Sequence, residues 1–99
     1  MLIVTGVIEI AEDGVETARA AAAEMVAETL KEPGCIVYEF SQVLGQETRF
    51  RVYEEWQDLT ALEAHFATPH MARFRAALAR AGVVSRDVYR REGGEKVSL

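Results

Sequence analysis

CIVYEFSQVLGQETRFRVYEEW, residues 35–56, alternates apolar and polar side chains on both sides of Gly45-Gln46-Glu47. A period of two is the signature of a half-buried strand, so 35–44 and 48–56 read as the two arms of a β-hairpin across that turn. Ile36, Tyr38, Phe40 and Leu44 share one face of the first arm. Phe50, Val52, Glu54 and Trp56 share one face of the second, with Arg49, Arg51, Tyr53 and Glu55 opposite. Upstream, Pro33-Gly34 stops a helical pattern over 15–31, in which Val15, Ala18, Ala22, Met25, Val26 and Leu30 form the apolar stripe. The run of alanines at 20–23 favours helix and lets it lie close to a sheet. Residues 2–10 alternate again, with Leu2, Val4, Gly6, Ile8 and Ile10 on one side. Downstream, Asp58 is placed to cap a helix carrying Leu59, Leu62, His65 and Phe66. Thr68-Pro69 breaks that helix and starts a second segment with Met71, Phe74 and Leu78, which closes at Gly82. A fourth strand follows over 83–91.

The order is strand, helix, strand, strand, helix, strand, which predicts an α+β, ferredoxin-like βαββαβ sandwich with an antiparallel sheet. No linker divides the chain, so 1–92 reads as one domain and 93–99 as a polar C-terminal tail. Two helical layers cover one face of four strands. The other face carries Ile3, Val7, Val37, Val43 and Tyr53 among Glu9, Arg49, Arg51 and Glu55. An apolar set rimmed by charge is costly to leave bare, and a second copy is the simplest cover, so a homodimer is expected.

Composition narrows the function classes. In 99 residues, 11 Lys+Arg stand against 16 Asp+Glu, a net charge of −5, with no clustered basic face to match nucleic acid or anionic lipid. The longest apolar runs are four residues, far short of a membrane span, and no secretory leader is visible, so a soluble cytoplasmic domain is expected. The single cysteine, Cys35, makes no intrachain disulfide and has no predicted basic neighbour to activate it. No glycine-rich nucleotide loop and no nucleophile elbow is present, and no cofactor is expected.

Four residues carry chemistry. Glu54 and Trp56 project from the helix-covered face of one strand, and a carboxylate there must be paired, neutral or solvated in a pocket. His65 lies at the margin of a buried helix face, where a neutral imidazole is matched to proton abstraction near pH 7. His70 follows Pro69 at a helix start. Each also has a plain structural reading as a satisfied core or capping residue. The two histidines are five apart across a proline, not the i, i+4 pair of a helical zinc site. No third ligand has convincing spacing, so no metal is expected.

The run YEEWQDLTALEAHFATPHMARFRAAL (53–78), together with KEPGCIVYEF (31–40), resembles the antibiotic biosynthesis monooxygenase family, especially the small bacterial quinol monooxygenases. The resemblance covers 1–92. It implies a ferredoxin-like fold that dimerises into an α+β barrel, and a pocket between sheet and helices. It also implies oxidation of electron-rich phenols, quinols or anthrones by O2 without metal or flavin. Haem-degrading relatives of the fold use an Asn, a Trp and a haem-ligating His where this chain has Gly6, His65 and Arg75, so haem degradation is disfavoured. On this basis His65 is the first candidate base, with His70 as its substitute or partner, and Glu54 orients an imidazole or a substrate hydroxyl. Trp56, Tyr38, Phe40 and Phe66 wall the pocket, and Arg75 faces a developing phenolate. Two other readings stay open: an isomerase or lyase acting on a small enolisable carbonyl compound, and a non-catalytic dimer that binds aromatic ligands.

Overall fold

The computed structural model describes residues 1–99. Strand β1 (Leu2–Ile10) buries every second residue, as its alternation requires, and a short 3-10 turn (Glu12–Gly14) leads into helix α1 (Val15–Thr29). The hairpin follows as β2 (Cys35–Val43) and β3 (Gln46–Trp56), then helices α2 (Leu59–Phe66) and α3 (Pro69–Ala81), then β4 (Val83–Glu92). The sheet order is β2-β3-β1-β4 with every neighbour antiparallel, the ferredoxin-like βαββαβ arrangement expected from the element order. Residues 93–99 have no regular structure, and the Gly93 N–H donates to the Met1 carbonyl. No helix is long and apolar enough to cross a membrane.

All three helices lie on one sheet face. Leu2, Val4, Val52, Tyr38 and Trp56 from the sheet meet Met25 of α1, Leu62 of α2 and Phe74 of α3 in the main core. A second cluster joins Ile8, Ile10 and Phe50 to Ala18 and Ala81. On the opposite face Ile3, Val7, Val37, Val43 and Tyr53 are only half-buried. Glu55 is buried among them because the Tyr53 hydroxyl donates to its carboxylate at 2.6 Å.

Three details depart from the sequence pattern. The first helix stops at Thr29 rather than 31, because the chain tightens into i→i−3 bonds from Lys31 to Glu28 and from Glu32 to Thr29; Leu30 is left about half exposed. Ile36 is the extra residue of a bulge between Cys35 and Val37, and so leaves the face shared by Tyr38 and Phe40. The hairpin turn is only Leu44-Gly45, with Gly45 at φ +79°, so β3 starts at Gln46 and Leu44 stands exposed at the tip.

Gly14 is required where the 3-10 turn meets the end of α3, since a Cβ there would overlap the Ala81 carbonyl oxygen. Gly14→Ala is expected to cost about 2 kcal/mol or more through this overpacking of backbone on backbone. Gly94, which has open space around it, should accept alanine without loss. Equilibrium denaturation of the two variants checks the contrast.

Candidate active site

Helix α2 begins where Asp58 caps it, its carboxylate accepting the Ala61 N–H at 2.9 Å, and ends one turn past Leu62 with His65 facing inward. Thr68 then holds the break between the two helices. Its hydroxyl donates to the His65 carbonyl at 2.8 Å and accepts the Met71 N–H at 3.2 Å, and Pro69 supplies a first helical residue that needs no hydrogen bond. This junction fixes His65 at the end of one helix and His70 at the start of the next, with ring centroids 6.0 Å apart.

A residue that sequence reasoning missed ties the two together. Glu32, in the turn between α1 and β2, accepts from His65 Nδ1 at 2.7 Å and from His70 Nε2 at 2.8 Å, both on the same oxygen, Oε2. The turn is itself anchored, because the Gly34 carbonyl accepts the Gln57 N–H at 2.8 Å ahead of α2. A carboxylate accepting at Nδ1 places the imidazole proton there and leaves Nε2 as a lone pair. Burial lowers the His65 pKa, partly offset by the Glu32 hydrogen bond, so the ring is neutral near pH 7. No side-chain hydrogen bond of the structure involves its Nε2, and His65 lines a cavity of about 670 Å³ between the sheet and α2 and α3.

That cavity is walled mostly by apolar side chains, among them Val4, Val52, Met71, Phe74 and Leu78. Tyr38, Phe40, Phe66 and Arg75 all line it, and Arg75 also donates to the Phe66 carbonyl at 3.2 Å. Glu54 reaches it as well. Its Oε1 accepts the Trp56 indole N–H at 2.7 Å, and burial pushes its pKa up to about 7 against the lowering effect of that hydrogen bond. The Tyr38 hydroxyl is raised well above its ordinary value, first by burial and then by the Glu54 charge, so it stays protonated.

One expected position differs. Trp56 is not a cavity wall: it is fully buried behind the lining, 4.8 Å from the His65 ring centroid, where it braces that ring and holds Glu54. His70 does not line this cavity; it meets His65 through the shared Glu32 oxygen and also lowers the His65 pKa electrostatically. Cys35 keeps its thiol, with burial raising its pKa to about 11. On β4, Arg86 and Arg90 add positive charge to the lining. The alternation of a strand at the sheet edge marks their face, but nothing in the sequence separates them from ordinary surface arginines.

A model of the antibiotic biosynthesis monooxygenase family matches residues 1–77. The chain belongs to that family. A crystal structure of a candidate antibiotic biosynthesis monooxygenase from Deinococcus radiodurans is similar at a TM-score of 0.92 and 26% identity, covering 100% of this chain and 98% of that one. Another antibiotic biosynthesis monooxygenase structure is similar at a TM-score of 0.87 and 25% identity, covering 96% and 100%. Uncharacterized protein sll1783 from Synechocystis is 32% identical over 73 residues, 74% of this chain; the chain spans about half the length of that curated relative. In this member of the antibiotic biosynthesis monooxygenase family, His65 is the one imidazole and Glu54 the one carboxylate that line the cavity.

Glu54 makes stability depend on pH in a definite sense. Its folded pKa lies above the ordinary 4.5, so the folded chain holds a proton there that the unfolded chain has lost. Stability therefore falls as pH rises from about 4.5 to about 7, by about 3 kcal/mol for a shift of this size. Glu54→Gln keeps an acceptor for the Trp56 indole and removes the charge. It is expected to raise the thermal midpoint near pH 8 and change it little near pH 4, as read by calorimetry at the two values.

Proposed function

We propose that this chain is a monooxygenase that oxidises a small electron-rich aromatic, a quinol, phenol or anthrone, with O2, its own side chains supplying the acid and the base. The observation that carries the reading is the His65 imidazole, tied to Glu32 at Nδ1 and lining a largely apolar cavity of a size for one flat ligand. Family membership supports the reaction class.

Ground-state O2 is a triplet and reacts readily only with a partner that gives up one electron at a time. His65 Nε2 takes the proton from a substrate hydroxyl or activated carbon, and the resulting anion is the electron donor. Arg75 faces that anion across the cavity. Transfer of one electron to O2 and recombination give a hydroperoxide on carbon. Loss of the second hydrogen from that carbon breaks the O–O bond, with Glu54 delivering a proton to the departing oxygen. One oxygen atom stays as a carbonyl and the other leaves as water. All four electrons come from the substrate, so no further reductant enters. The apolar walls exclude bulk water from the anion and the hydroperoxide.

Oxygen uptake with a reduced naphthoquinol or an anthrone tests this. Wild type is expected to exceed the uncatalysed rate, and His65→Ala to lower kcat by about 10²–10⁴-fold, the usual worth of a general base. A wild-type rate equal to background, or an unchanged rate in His65→Ala, overturns it. Turnover of an enolisable carbonyl compound without O2 would instead favour an isomerase or lyase built on the same two groups.

The half-buried apolar set on the open sheet face supports a homodimer in which a second copy covers Ile3, Val7, Val37, Val43 and Tyr53. Sedimentation at micromolar concentration is expected to give twice the 11.0 kDa chain mass; a monomer contradicts it.

A further inference from the structure

The family reading uses His65 only from the cavity side of its ring. On the other side, Glu32 Oε2, His65 Nδ1 and His70 Nε2 converge within 4.8 Å of one another. They come from three places the fold holds fixed: the turn after α1, the last turn of α2 and the first turn of α3. Two imidazole nitrogens and one carboxylate oxygen are a donor set suited to zinc and its neighbours in the first transition row.

We propose that Glu32, His65 and His70 form a binding site for a divalent transition-metal ion of the zinc class, and that an ion bound there silences the cavity face of His65. Metal–ligand distances of about 2.0–2.2 Å in a tetrahedral site place donor atoms roughly 3.3–3.5 Å apart. The two nitrogens now stand 2.7 and 2.8 Å from the carboxylate oxygen and within 4.8 Å of each other, so the ion is admitted when each nitrogen–oxygen pair opens by about half an ångström and the two imidazoles close toward one another by about an ångström. Glu32 and His70 are each about one-tenth exposed at the side chain, which gives the ion a route from solvent and leaves a coordination position for water. His65, almost fully buried and braced by Trp56, is the fixed member.

The proton count closes without a co-reactant. In the metal-free chain each imidazole donates to Glu32 from the nitrogen that faces it. When the ion takes those nitrogens, two N–H bonds break and two metal–nitrogen bonds form. The proton displaced from His65 Nδ1 moves through solvent to His65 Nε2, and the one displaced from His70 Nε2 passes to its Nδ1 or to solvent. The lone pair that His65 turned to the cavity is then an N–H donor, unable to take a proton from substrate. This consequence rests on the reading of His65 as the base, whereas the site itself does not.

Tag-free protein, stripped with chelator and dialysed, is titrated with Zn2+ by calorimetry and with Co2+ by visible absorption. One ion per chain is expected, with a cobalt spectrum of low coordination number and a higher thermal midpoint with zinc. Glu32→Gln and His70→Ala, confirmed as folded by circular dichroism, should each weaken binding at least about 30-fold; the partly exposed His70 makes its variant the safer of the two. Wild type binding no more tightly than His70→Ala overturns the site and leaves the monooxygenase reading standing. Zinc is also expected to suppress naphthoquinol-dependent oxygen uptake over the concentration range in which it binds, with recovery on adding chelator. Binding without suppression overturns the coupling and counts against His65 as the base.

Discussion

One carboxylate oxygen organises the site. Glu32 accepts from imidazoles 33 and 38 residues further along the chain, so a single hydrogen-bonded centre joins the turn after α1 to the junction of α2 and α3. Hydrogen bonds to a charged partner in a partly dry setting are among the stronger ones available, at roughly 1.5–3 kcal/mol each. They also do something a packed apolar contact does not: they choose which nitrogen of His65 carries a proton. The catalytic reading and the metal reading concern opposite sides of that one ring.

The rest of the fold serves this placement. An antiparallel sheet in the order β2-β3-β1-β4 brings Glu54 and Trp56 of β3 opposite Tyr38 and Cys35 of β2, next to the turn that carries Glu32. The helical layer over the sheet is broken at Thr68-Pro69, and the break sets two short helices around the cavity rather than one long helix over it. Trp56 contributes from behind, by packing on the His65 ring and donating to the Glu54 carboxyl. Glu54 is tolerated in the core face because its pKa rises to about 7, which keeps it partly neutral near physiological pH.

Much of this was legible in the residues. Alternation, the Pro33-Gly34 stop and the Asp58 and Thr68 caps are local signals, and the elements they mark all form. Tyr38, Phe40, Phe66 and Arg75 reach the cavity because side-chain direction follows from strand and helix periodicity. What was hidden is long-range or depends on a single extra residue. The bulge at Ile36 changes a face by one residue, and no local pattern announces it. Trp56 turns behind the wall because its indole finds Glu54 two residues away, a choice between partners on the same face. Glu32 lay inside the very segment, 31–40, that carries the resemblance. Its role depends on a contact 33 residues away, and a carboxylate beside a helix stop reads locally as a solvated turn.

The proposed chemistry depends on the protonation pattern of one ring. Long-range nitrogen–proton correlation NMR on uniformly labelled, metal-free protein near pH 7 reads it directly. His65 is expected as the neutral tautomer with its proton on Nδ1 and an unprotonated Nε2, and Glu32→Gln is expected to shift that tautomer balance. A proton found on Nε2 in the wild-type chain, whether as the other tautomer or as an imidazolium, would contradict the assignment of His65 as the base that faces the cavity.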